Sequence, residues 1–217
     1  TTVYNKHNSP LMQASTVGGD DPNYVIVTDT KFDPSGNLWV FNSISPSTSM
    51  FKFSSDKQWT SLHKSELMAE EDRSMEDMTS TFFDSRNLMW FVNNMFRTPA
   101  LVCYQPSTDA IKVYKNFVNE DGTTVSVTYV RCAAEDKDHN IWIGTDVGPL
   151  MLTADEISNN GDVFTQVKVP RNDGTNLADY LMDGIDIKCM VIDGGGRKWF
   201  GTSDNGLYLI SADNMTQ

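Results

Sequence analysis

Cysteine and histidine are both scarce, and neither is spaced for chemistry. The three cysteines, Cys103, Cys132 and Cys189, cannot all pair with one another. No CxxC or Cys/His grouping with metal-ligand spacing is present, so neither a disulfide framework nor a zinc site is expected. The three histidines, His7, His63 and His139, fall in separate, polar stretches. Their spacing supports no Ser/His/Asp triad and no metal site.

Positive charge is also short. Lys and Arg number 17 against 29 Asp and Glu, a net charge of −12, so the overall field repels phosphate backbones and anionic membrane surfaces. Nucleic acid is not an expected partner. No apolar run approaches membrane-spanning length and no signal-like segment opens the chain. The chain reads as a soluble mature product or as an excerpt of something longer.

What the sequence does hold is a repeat. The stretch DKDHNIWIGT, Asp136 to Thr145, has three copies of its layout, each with an aspartate six positions before a tryptophan: Asp33 and Trp39, Asp84 and Trp90, Asp136 and Trp142, Asp193 and Trp199. Successive tryptophans are separated by 51, 52 and 57 residues. A constant interior with variable spacers marks a repeated supersecondary unit whose insertions fall in loops.

Around each tryptophan, short apolar runs alternate with turn residues. In the first unit the runs are Val25–Phe32, Leu38–Phe41, Met50–Phe53 and Gln58–Leu62, with the cluster Asp33-Pro34-Ser35-Gly36-Asn37 as a tight turn. Four strands joined by hairpins make one blade. The fold class is therefore all-β, a β-propeller of four four-stranded antiparallel blades over residues 1–217, centred on Trp39, Trp90, Trp142 and Trp199. In the third unit the fourth strand is expected at Phe164–Val169. The fourth unit lacks its outer strand, its place taken by the tail Ser211–Gln217. A strand at Val3–Asn5 precedes the first unit and could complete the last blade and close a ring; the alternative is an arc of a larger propeller. The one helix expected is His63–Met78, with Ser65 as its cap.

Several motifs resolve into structure. Asp in such a turn accepts hydrogen bonds from backbone amides two residues on, and Gly or Asn takes the positive φ. DKDHN resembles the start of an EF-hand loop, yet Ile141 and Val147 stand where that loop needs glycine and glutamate. Gly194-Gly195-Gly196 opens a strand and not a helix, so it offers no phosphate cradle. The tryptophans, flanked by apolar residues on both sides, fill the core between blades. Cys132 and Cys189, each four residues before a repeat aspartate, read as small residues packed in inner strands.

The loops after each second strand and before each first strand remain as candidates. They hold Phe96 and Arg97, Asp146, Asp204 and Asn205, and, in the long insertion Arg171–Asp183, Arg171 and Tyr180. An aromatic beside a cation suits a sugar or protein ligand through stacking and bidentate hydrogen bonds. No cofactor or metal is called for.

Two copies, VRCAAEDKDHNIWIGT (Val130–Thr145) and IKCMVIDGGGRKWFGT (Ile187–Thr202), resemble the two-component regulator propeller repeat. The first two copies depart from it, with Phe41-Asn42 and Val92-Asn93 in place of Gly-Thr. The fourth copy is most similar to PorZ-like propellers of the type IX secretion system in Bacteroidetes. The resemblance implies a non-enzymatic, extracytoplasmic propeller of the periplasm or cell surface. It implies a protein, glycan or lipopolysaccharide ligand on the loop face, or a glycan-sensing role in a hybrid histidine kinase. Further blades or domains in a longer chain are compatible with it. A polysaccharide lyase is the competing class.

Overall fold

The four aspartate-marked turns fold alike. The computed structural model describes residues 1–171 and 173–215, and in every copy the carboxylate divides its oxygens between two tasks. Oδ1 accepts from the amides two and four residues on: Ser35 and Asn37 on Asp33, Arg86 and Leu88 on Asp84, Asp138 and Asn140 on Asp136, Gly195 and Arg197 on Asp193. Oδ2 accepts from the indole Nε1 of the repeat tryptophan, at 3.0, 2.9, 2.8 and 3.2 Å in chain order. The six-residue offset is thus the reach from the head of the turn to the second residue of the next strand. It ties the hairpin to the core.

The residue three after each aspartate takes positive φ: Gly36, Asn87, His139 and Gly196. Glycine and asparagine accept this readily. His139, at φ 65°, does so under strain.

These hairpins organise four antiparallel sheets, each with its strands in chain order. The first comprises Val27–Phe32, Leu38–Asn42, Met50–Phe53 and Trp59–Leu62; the second Met78–Phe83, Met89–Asn93, Ala100–Gln105 and Ala110–Tyr114. The third has Val130–Glu135, Ile141–Thr145 and Gly148–Leu152, and the fourth Ile187–Ile192, Lys198–Thr202 and Leu207–Ile210. All four first strands carry a bulge. The expected all-β, blade-built class is observed, and Trp59 lies on an outer strand.

The described chain divides into two compact units, Thr1–Thr98 with Val102–Val113, and Pro99–Leu101 with Tyr114–Gln217. In the first, Trp39 meets Phe83 and Tyr104 at ring-centroid distances of 6.3 and 5.6 Å, and Phe41 meets Phe91 at 4.6 Å. In the second, Trp142 meets Phe200 at 6.3 Å within a cluster that includes Cys132, Ile187 and Ile210. The first-blade run is apolar on both faces because the second blade covers Trp39 on one and Leu11 meets Val40 and Phe51 on the other.

Four expectations are corrected. Val3–Asn5 is not a strand; the Tyr4 ring packs on Phe53 and Trp59 of the first blade, both at 5.5 Å. His63–Met78 is not a helix. It forms one 3-10 turn, Ser65–Leu67, without a side-chain cap, and a hairpin of Met68–Glu70 with Arg73–Ser74. Burial explains this: Leu67, Met75 and Met78 are fully buried, and Ser74 exchanges hydrogen bonds with Ser45 through its backbone and its Oγ. Third, Phe164–Val169 is not one outer strand. Val163–Phe164 pairs in parallel with Val118–Asn119, Met151 and Thr165 form an isolated bridge, and Lys168–Pro170 pairs with Ala178–Tyr180. Cys189 is the fourth correction: it is exposed, while Cys132 is buried.

A short helix, Ala154–Ser158, was not expected. Its signal is the Thr153-Ala-Asp-Glu156 box, in which Thr153 Oγ1 accepts from Glu156 N at 3.1 Å. Asn172, Thr216 and Gln217, which belong to the expected insertion and tail, lie outside the described residues.

Removing a brace has calculable consequences. Asp136→Ala strands the buried Trp142 indole and two turn amides, and costs about 3 kcal/mol in chemical denaturation. His139→Gly relieves the strained turn and raises stability by about 0.5–1 kcal/mol. The indole of Trp199, with further donors on Arg197 and Gly195, holds the Asp193 carboxyl down to about 2 from its ordinary 3.8. A depressed folded-state pKa adds stability above the unfolded value and loses it as protons bind. Asp193→Asn therefore flattens the fall in melting temperature between about pH 4 and pH 2, measured by calorimetry.

Candidate functional site

A second hydrogen bond recurs as strictly as the brace. The residue four after each tryptophan donates its amide to the carbonyl seventeen residues back: Ser43 to Ile26, Asn94 to Asp77, Asp146 to Tyr129 and Ser203 to Asp186, at 2.9, 2.9, 3.3 and 2.8 Å. This bond fastens the loop after the second strand to the segment entering the first strand. The preceding residue pins the same loop from within. Asn93 Nδ2 donates to Thr98 O, Thr145 Oγ1 to Gly148 O and Thr202 Oγ1 to Gly206 O. Asn42 instead accepts from Met12 N and donates to Ile26 O. Asparagine in the second copy thus performs the threonine's task, while in the first copy it ties the loop to the segments at Met12 and Ile26.

On this rim the candidate residues differ in what they leave open. Phe96 is exposed, and the Arg97 guanidinium lies 5.4 Å from its ring centre. Beside them burial raises the Asp77 carboxyl, against a 3.1 Å hydrogen bond from Asn94. Asp146 is committed: its Oδ1 accepts from the amides of Thr128 and Tyr129 at 2.9 and 2.8 Å. Asp204 accepts from its neighbour Asn205. Arg171 forms a two-bond pair with Asp179, and Tyr180 donates to Asp121 beneath the Lys168 ammonium. These last groups belong to the hairpin of the insertion, beside a cleft of about 380 Å³ lined by Arg171, Asp173, Asp179 and Tyr180.

The sequence reading missed one cluster. Arg131 lies 4.0 Å from the ring centre of Tyr129 and grips both oxygens of Asp186 at 3.0 and 3.1 Å, while Lys188 donates to the same carboxylate. Burial alone would raise the Asp186 carboxyl, and the two cations with their hydrogen bonds lower it. A signal for it existed, since Asp77 and Asp186 both stand thirteen residues before a repeat tryptophan. A cleft of about 460 Å³ lies at the opposite end of the strands, among the turns holding Asp33, Arg86, Asn87 and Gln105. The Asp33 carboxylate at its edge is already taken up by Trp39 and the turn. Among the described residues no three His, Cys, Asp or Glu side chains converge as metal ligands. No described helix is long and apolar enough to cross a membrane.

The brace and the rim bond of the third copy fall inside a matched segment. Residues 124–147 match the family model described as two component regulator propeller. Comparison with curated proteins finds no match. Among solved structures the chain is similar to PorZ, an essential bacterial surface component of the type-IX secretion system of Porphyromonas gingivalis, at 19% identity and TM-score 0.76 over 89% of this chain and 27% of that one. It is also similar to the extracellular domain of BT4673 from B. thetaiotaomicron, described in one structure as a one component and in another as a hybrid two component system. Identity is 14% in both, with TM-scores of 0.56 and 0.53, over 88% and 86% of this chain and 21% and 20% of those chains. The chain spans about a quarter or less of each of these proteins, and at such identities the likeness is one of fold.

In all four copies the rim is thus a fixed frame with variable side chains. Asp146→Ala frees two amides, costs about 1–2 kcal/mol and speeds hydrogen exchange of Thr128 and Tyr129 at least tenfold by mass spectrometry. Phe96→Ala, on an exposed site, shifts stability by less than about 0.5 kcal/mol.

Proposed function

We propose that the chain is a binding or scaffold segment of an extracytoplasmic β-propeller protein, of the surface type that PorZ represents, and performs no chemistry of its own. The observation that carries this is the PorZ likeness over 89% of the chain together with a propeller repeat whose carboxylates are occupied by folding tasks. Asp33, Asp84, Asp136 and Asp193 serve turns and indoles, Asp146 serves a loop and Asp186 serves Arg131. What stays open on the rim is Phe96 with Arg97, a stacking surface with a cation at its edge. Its ligand is a protein or the glycan part of a lipopolysaccharide. A second reading, a glycan-sensing periplasmic propeller, draws on the likeness to the BT4673 extracellular domain.

Calorimetric titration with purified lipopolysaccharide and with neutral polysaccharides tests the ligand class. Saturable binding that weakens at least fivefold in Phe96→Ala and Arg97→Ala supports the reading, and loss only in Arg171→Ala moves the site to the insertion hairpin. Because the net charge is −12, ring stacking and not phosphate attraction holds the sugar, so affinity is unchanged or higher as salt rises. New reducing ends or unsaturated sugar products on incubation would overturn the non-enzymatic reading.

A further inference from the structure

One place recurs within each unit at the turn end of the strands, where the residue after one repeat aspartate meets the residue three after the next. In the second unit these are Lys137 and Gly196, and the lysine stem lies across the glycine. A Cβ added at Gly196 would stand 3.1 Å from Lys137 Cδ and 3.5 Å from Ala212 Cβ, so the space there is filled. In the first unit they are Pro34 and Asn87. Proline is too short to cross the gap, and the place is the cleft of about 460 Å³. That volume falls within the roughly 300–1,000 Å³ of small-ligand pockets.

Pro34, Phe83 and Pro106 supply the apolar walls of this cleft, and Arg86, Asn87 and Gln105 the polar ones. Phe83 is half-buried and held against Trp39, with ring centres 6.3 Å apart. The Asn87 side chain has no hydrogen bond among the described residues, and Gln105 engages only its Oε1, which accepts from Thr108 at 3.0 Å. Arg86 is fixed by Asp84, whose Oδ2 accepts from its Nε at 2.9 Å and lies 2.7 Å from its Nη2. Its Nη1 is unengaged among the described residues. Neither sign of charge is left open: Asp84 balances Arg86, and the Asp33 carboxylate is committed to its turn and to Trp39.

We propose that this cleft binds a neutral saccharide, at the end of the strands opposite the rim. A sugar ring presents an apolar C–H face, which suits Pro34, Phe83 and Pro106, and an edge of hydroxyls that both donate and accept. The side-chain amides of Asn87 and Gln105 also do both, and the Arg86 guanidinium adds donors. An anionic ligand would meet a cation already neutralised. A peptide bound as a strand would need an open backbone edge, and the three turns around the cleft have closed theirs: the amides of Gly36, Asn87 and Thr108 donate to the carbonyls of Asp33, Asp84 and Gln105. The inference is independent of what the rim binds.

The test is an NMR titration of the full chain with the methyl glycosides of glucose, galactose, mannose and N-acetylglucosamine, and with maltose and cellobiose. At least one of these sugars is expected to shift the side-chain amide signals of Asn87 and Gln105 saturably. Gln105→Ala weakens that binding about fivefold. Pro34→Lys combined with Asn87→Gly rebuilds the filled arrangement of the second unit and abolishes the Gln105 shift while the backbone spectrum stays dispersed. Asn87 stands at φ 60°, so glycine there relieves the backbone. Should the double variant fail to fold, Gln105→Ala alone decides. No saturable shift with any of these sugars overturns the proposal, as does unchanged affinity in Gln105→Ala or binding that survives the folded double variant. Shifts confined to Phe96 and Arg97 place the sugar on the rim and also overturn it. So does a proline-rich peptide that shifts the Asn87 and Gln105 amides when no sugar does.

Discussion

One carboxylate per blade sets the geometry of this protein. A hairpin needs its turn amides satisfied, and a tryptophan buried between sheets needs a partner for its indole N–H. A single aspartate meets both needs, because its two oxygens point in different directions. The separation of six residues is then no accident of sequence: the turn and two strand residues carry the indole back over the carboxylate. Asp84 and Asp136 are buried with their tryptophans, so the brace sits in low dielectric, where a charged acceptor strengthens each hydrogen bond. Glycine, asparagine or strained histidine at the fourth turn position follows from the same geometry.

That brace was half legible in the sequence. The constant offset identified the repeat, the turn and the core tryptophan, since all three depend on local spacing. The bond between Asp and Trp was not read, because offset alone does not say which way a side chain turns. The misreadings share a cause. His63–Met78 has the charge pattern of a capped helix, but Leu67, Met75 and Met78 are buried by the first unit and Ser74 is held by Ser45, so tertiary contacts override local preference. Val3–Asn5 has the composition of a strand, yet the Tyr4 ring packs on Phe53 and Trp59 instead.

The candidate site was legible as a place and not as a set of partners. Its loops are where the repeat predicts, held by an amide-to-carbonyl bond at a fixed separation in all four copies. Which side chains on them are open is decided by contacts distant in sequence. Asp146 turns inward to two amides, and Arg131, which composition gave no reason to single out, meets Asp186 fifty-five residues away. Residues at repeated positions hold the frame, while Phe96 and Arg97 face outward.

The brace between aspartate and tryptophan holds every blade together. Hydrogen exchange of the indole N–H groups, resolved by NMR for all five tryptophans, tests it directly. Slow exchange is expected for Trp39, Trp90, Trp142 and Trp199, with Trp90 and Trp142 the slowest, and rapid exchange for Trp59, which lies outside the pattern. Rapid exchange of Trp90 and Trp142, at the rate of Trp59, would contradict it.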